Sequence, residues 1–224
     1  MLAYAPELHR DEVDELLQPT LKKMDELGLE YQYSSSEYPT FLSAYTSLTS
    51  SWNVSDYNIG GRLIPRSLVS NNLNGLVEAI RYITTQTLMS GVTFNVKNAV
   101  SSAADVAVNP YFRETLFSAT VGTPINYNSS AANQVAQDKL TYDLLPALEK
   151  LTPNGGVYLN EADFQQPDFK STFYGNHYDR LLSVKRRYDP EDVFYAKTAV
   201  GSDFWKQDAD GRLCKVSRSW IRGD

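Results

Sequence analysis

The chain has 224 residues, of which 42% are hydrophobic and 21% charged, an ordinary globular composition that excludes collagen-like and disordered classes. At this length a folded chain buries roughly 70–75% of the surface its unfolded form exposes, so one domain, or a domain and a lobe, needs no covalent staple. The formal charge of −6 and the absence of a long basic run argue against nucleic acid, and no apolar stretch approaches a membrane span. The single cysteine, Cys214, rules out an internal disulfide and a CxxC metal site. With only His9 and His177, a His-rich zinc site is excluded, and no G-x-S-x-G elbow accompanies His177 for a serine triad.

The first predicted element is a helix over 10–27. Val13, Leu16, Leu17, Leu21, Met24 and Leu27 recur at helical spacing, acids fill the first turns, and Gly28 follows as C-cap. Pro19 should kink or split it near Glu15. Residues 29–33 alternate as a half-buried strand, and 34–58 read as irregular chain with short helix, packed by Tyr38, Phe41, Tyr45, Trp52 and Tyr57. Gly60-Gly61 then suggests a turn into an extended segment ending at Arg66.

A second helix is expected over 71–86, capped by Asn71 or Asn72, with Leu73, Leu76, Val77, Ile80 and Ile83 inward. Strands are expected at 91–96 and 105–109. A third helix over 131–151 is interrupted by Pro146, Pro153-Asn-Gly-Gly156 marks a turn, and 157–161 is a strand. A last helix over 174–188 ends at Asp189-Pro190. Helices and strands mix without regular βαβ alternation, so the expected fold class is α+β: one antiparallel sheet with helices packed on one face. There is no GxGxxG and no Walker A loop to cradle a phosphate.

Several motifs resemble one family. Gly156-Val-Tyr158-Leu-Asn160-Glu161-Ala-Asp163, Tyr174-Gly-Asn176-His177-Tyr178-Asp-Arg180-Leu, and Lys185-Arg-Arg-Tyr-Asp189-Pro-Glu-Asp-Val-Phe194-Tyr stand in the order found in berberine-bridge-enzyme-like flavoproteins of the vanillyl-alcohol-oxidase superfamily. The tail from Thr198 to Cys214 is similar to fungal members, and Gly60–Pro65 and Val108–Arg113 are similar to motifs of the family's substrate domain. The resemblance implies a substrate-domain portion over 1–154 and a family C-terminal segment over 155–224, its helical extension packing on a flavin domain in relatives. It implies FAD and a small-molecule substrate. The flavin-binding domain that relatives place first is not found before Met1, so the expected role is the substrate side of an oxidoreductase of an alcohol, a sugar or a secondary metabolite, inactive alone. The alternatives are a cofactor-free small-molecule binding or cyclase/isomerase protein, or a non-catalytic subunit docking on a separate flavin-binding domain.

The resemblance also implies roles for individual residues. Glu161 occupies the position of a base that takes a hydroxyl proton as hydride passes to the flavin; alternatively it caps a turn or pairs with an arginine such as Arg180. Tyr158 and Asn160 flank it, as substrate contacts or as core packing and a loop tie. Strand periodicity would send Asn160 to the face opposite Glu161. Asn176, His177 and Tyr178 match a segment that contacts the flavin or substrate, with His177 standing where Asn is usual; Tyr178 also reads as an aromatic anchor. Sequons at Asn53 and Asn128 fit a secreted family, yet the chain begins without an export signal, leaving its location open.

Overall fold

The computed structural model describes residues 4–49 and 53–216, which fall in two compact units, Met1–Asn53 and Val54–Asp224. Trp52 lies outside the described residues. The boundary expected near residue 154 falls inside the second unit, where the Leu63 N–H donates across it to the Gly156 carbonyl (2.8 Å).

In the first unit α1 spans Arg10–Glu26. It runs unbroken through Pro19, contrary to the expected split: the ring sits on an exposed face, and only the bond to the Glu15 carbonyl is forfeited. Val13, Leu17, Leu21 and Met24 form a half-buried stripe, while Leu16 and Leu27 face outward. Gly28, at φ +65°, closes the helix: its N–H bonds the Asp25 carbonyl, and that of Leu29 bonds Met24. The strand expected at 29–33 does not form. That segment finds no partner strand; Tyr31 donates its hydroxyl to Asp25 (3.0 Å) and Tyr33 donates to Asp14, both acids of α1. α2, Phe41–Leu48, is capped by Thr40, and Phe41 contacts Tyr4 and Tyr45 ring to ring.

The second unit is built on three antiparallel strands: β1 (Tyr57–Pro65), β2 (Leu88–Thr93) and β3 (Thr115–Pro124), ordered β1-β3-β2. Gly60 and Gly61 lie within β1, not in a turn. A Cβ on Gly60 would stand 2.6 Å from Leu145 Cδ1, and one on Gly61 would stand 2.8 Å from the Ala119 carbonyl. Close approach, not backbone freedom, explains both. The central strand β3 is an element that the sequence reading left out, and the strand expected at 105–109 is loop instead.

Helices α3 (Arg66–Asn71) and α4 (Leu73–Thr84) link β1 to β2, Asn72 capping α4 through the Gly75 N–H. Of the expected stripe, Leu76 and Ile83 are buried with Ala79, whereas Leu73 and Val77 are exposed. The third helix is α5 (Ser130–Lys139), a π-helical turn (Leu140–Leu144) and α6 (Leu145–Glu149). Pro146 therefore does not break the helix. The Leu145 N–H reaches back to the Leu140 carbonyl, and Pro146 falls in the first turn of α6, where a missing N–H costs little.

One face of the sheet carries Ile64, Ala119 and Val121, packed against Leu76 and Ile83 of α4 and Leu140, Leu144, Leu145 and Leu148. This is the antiparallel sheet with helices on one face. Beyond it, α7 (Phe169–Tyr174), a 3-10 turn (Gly175–His177) and α8 (Tyr178–Tyr188) form a second small core of Val157, Phe173, Tyr174 and Tyr178. A short hairpin, β4 (Trp205–Gln207) and β5 (Leu213–Lys215), ends the described chain.

Candidate functional site

The family-like segments meet around β1. Arg62 is buried, its Nε donating to Thr152 Oγ1 (2.8 Å) and Nη2 to the Thr152 carbonyl (2.6 Å). Its guanidinium covers Gly155, where a Cβ would lie 2.8 Å from Nη2. Burial pulls the Arg62 pKa down, with Glu149 and Asp168 opposing. The buried Asn109 amide donates to the Thr172 carbonyl (2.9 Å) and leaves no room for a Cβ on Gly156. Together these two side chains press the chain at 155–157 onto β1.

The strand expected at 157–161 does not continue from there. After Val157, whose N–H donates to the Thr172 carbonyl (3.1 Å), the backbone turns into a 3-10 helix, Leu159–Glu161. Only the Leu63 to Gly156 bond resembles a ladder. Side-chain direction on this turn therefore does not alternate with period two. Tyr158 is 39% exposed, its ring edge-on to Phe112 (5.8 Å), which stacks on Phe94 (5.5 Å). Asn160 donates its amide to the Tyr158 hydroxyl (2.5 Å), so these two act as a pair.

Glu161 is half-buried, and its Oε2 accepts from Ser118 Oγ at 2.6 Å. Arg180 is not its partner; that guanidinium donates to the Ala104 carbonyl (2.9 Å). Ser118 pairs with Leu63 in the β1–β3 register and so points to the sheet face opposite the helices, where Gly61 also lies. The sequence reading missed Ser118. The only signal was the run Thr115-Leu-Phe-Ser-Ala-Thr-Val, rich in strand formers and bounded by Pro110 and Pro124.

The second group of expected site residues stands on a separate support, and no hydrogen bond or ring contact among the described residues links the two groups. Asn176 is exposed. Tyr178 is buried among Phe169 and Tyr174, donating its hydroxyl to Asp203 (2.5 Å) and accepting from the Gly201 N–H (3.1 Å). Burial, with help from Asp203, pushes its phenol well above the usual tyrosine range. His177 is buried and its Nε2 has no hydrogen-bond partner among the described residues. It borders a cleft of about 190 Å³ lined also by Asp105, Val106, Ala107, Arg180, Leu181 and Val184. Buried polar atoms are ordinarily satisfied, so this imidazole suits a hydrogen-bonding group supplied from outside the described residues. Among those residues no cluster of three metal-ligating side chains occurs, and no helix is long and apolar enough to cross a membrane.

Residues 157–201, which hold both groups, match the family described as berberine and berberine like. The FAD-linked oxidoreductase sor8 of Hypocrea jecorina is 37% identical over 214 residues, covering 95% of this chain and 37% of that protein. The bifunctional decalin synthase calF of Penicillium decumbens is 36% identical, with 96% of this chain and 39% of that protein covered. The crystal structure of the VAO-type flavoprotein MtVAO615 from Myceliophthora thermophila C1 superposes with a TM-score of 0.80 at 31% identity, covering 94% of this chain and 40% of that one.

The chain carries a berberine-like segment and resembles FAD-linked, VAO-type flavoproteins along nearly all of its length.

Its berberine-like segment thus comprises the Glu161 turn and the α7–α8 core, while β1, β3 and the helices behind them supply the platform. The chain spans less than half the length of these berberine-like relatives.

Proposed function

We propose that this chain forms the substrate side of an FAD-linked oxidoreductase that oxidises an alcohol, a sugar or a secondary metabolite, acting together with a flavin-binding domain. The observation that carries this reading is the Glu161 carboxylate, held by Ser118 on the sheet face opposite the leucine core, beside the exposed Tyr158–Asn160 pair. FAD, when bound, supplies the hydride acceptor. Glu161 takes the proton of the substrate hydroxyl at its carboxylate, and Ser118 Oγ fixes the orientation of that carboxylate. Tyr158 and Asn160 border the same turn and contact the substrate. His177, whose Nε2 has no hydrogen-bond partner among the described residues, and the neighbouring Asn176 serve as cofactor contacts; Tyr178, its hydroxyl engaged by Asp203, holds their 3-10 turn in place.

The test is Glu161→Gln in protein joined to a flavin-binding domain. The amide keeps the shape and loses the base, so kcat should fall by ~10²–10⁴ while flavin absorbance stays. Unchanged turnover would overturn the assignment. Without the flavin-binding domain the chain is expected to stay colourless after incubation with FAD and desalting, and to be inactive.

A second reading is favoured by one relative, the decalin synthase calF: the same carboxylate could serve a cyclisation or isomerisation without net redox change. Product mass separates the two, because oxidation removes two hydrogens and isomerisation removes none.

A further inference from the structure

The turn that carries Glu161 is thinly covered. Tyr158, Leu159 and Asn160 are exposed, so burial contributes little to holding it, and its position depends on anchors at either end. The N-terminal anchor is the pair of backbone bonds at Gly156 and Val157. The C-terminal anchor is Asp163, two residues beyond Glu161 and only 1% exposed.

Three donors converge on this carboxylate. Oδ1 accepts from Gln137 Nε2 and from the Gln165 N–H, both at 2.7 Å, and Oδ2 accepts from Thr141 Oγ1 at 2.6 Å. Gln137 and Thr141 are four residues apart and so share a helix face; Thr141 stands in the π-helical turn. Beneath them Gly60 leaves space that a Cβ would take, 3.3 Å from Asp163 Cβ. Helix, π turn and strand are thus shaped around a buried carboxylate with no ion-pair partner among the described residues. Burying such a group without an ion-pair partner is costly, with Lys197 easing it only through space, and an apolar side chain would fill the corner without that cost. A carboxylate adds orientation: it is fixed by donors from the helix side and from its own loop.

We infer that Asp163 is a positioning residue whose carboxylate, gripped by Gln137 and Thr141, sets the turn so that Glu161 meets Ser118 on the sheet face. Its importance for catalysis rests on the reading of Glu161 as base. The placement itself is testable on the chain alone.

The experiment is NMR of the isotope-labelled chain, following the Ser118 amide signal. Glu161→Gln, in which the Ser118 bond is altered directly, defines the reference displacement. Asp163→Asn should move the Ser118 signal in the same direction by at least half that displacement, and Thr141→Val by a smaller amount. A folded Asp163→Asn that melts at lower temperature but leaves the Ser118 signal where it was would reduce Asp163 to a structural role and overturn the inference. If Asp163→Asn does not fold, Thr141→Val decides on the same criterion. Turnover of Glu161→Gln with a flavin-binding domain is scored separately: full turnover there removes the base, while the Ser118 displacement still reports on positioning.

Discussion

The two faces of the three-stranded sheet are held by different physics. On the helix side, Ile64, Ala119 and Val121 meet a wall of leucines, with the buried Arg62–Thr152 and Asp163–Gln137–Thr141 bonds beside them. On the opposite side, Ser118 bonds Glu161, Leu63 is buried at the β1 end, and Leu88 (57%) and Val92 (63%) at the β2 end stay exposed. The helix side holds most of the buried apolar side chains, and the other side buries Leu63 at its β1 edge but is open at the β2 end. Glu161 stands on the second face, outside the leucine core.

The largest effect should come from the helix side. Leu148→Ala empties a fully buried site and should cost ~2–5 kcal/mol in denaturant unfolding, without displacing the Ser118 signal by the Glu161→Gln amount. If it instead disturbs the Glu161 turn as strongly, the two faces are not independent. Next is Gly61→Ala, which points into the opposite face. Its Cβ would sit 2.8 Å from the Ala119 carbonyl and 3.0 Å from that of Glu161, and backbone must move to admit it. We expect a loss of ~1–3 kcal/mol together with a shift of the Glu161 turn in the crystal structure of the variant.

Tyr178→Phe lies outside both faces, leaves the Gly201 N–H and one Asp203 oxygen without their phenol, and should cost about 1–3 kcal/mol at neutral pH. The folded phenol holds its proton above the unfolded tyrosine value near ~10, so its contribution is full below that pH and is lost as pH rises towards the higher folded value. Unfolding curves should therefore show wild type losing stability above pH ~10 more steeply than Tyr178→Phe. Ser118→Ala removes only the hydroxyl. It should cost about 1 kcal/mol, because the half-buried Glu161 can turn to water, and it sharpens the contrast with Leu148→Ala.

Much of the fold was legible along the chain. The helix periods placed α1, α4, α5 and α8 to within a few residues, because amphipathic spacing is a local property. Local signals misled where a neighbour decided the outcome. Gly60-Gly61 reads as a turn when only sequence is considered, yet Leu145 and Ala119 crowd both positions inside a strand. Val157-Tyr-Leu-Asn-Glu161 alternates as a strand should, but the one backbone bond to β1 is made by Gly156 just before it, and the segment then curls. Pro19 and Pro146 were expected to break helices; one is exposed and the other begins a new turn after a π-helical one.

By itself, then, the sequence determined the α+β class, the amphipathic helices, the exclusion of an internal disulfide and the family-like motifs with Glu161, His177 and Tyr178 among them. Those depend on residue type and near spacing. Tertiary structure alone decided that β3 is the central strand, that Ser118 is the partner of Glu161, and that Gln137 and Thr141 hold Asp163. These pairs lie 43, 26 and 22 residues apart, and which donor reaches which carboxylate depends on strand register and helix docking that no local pattern encodes.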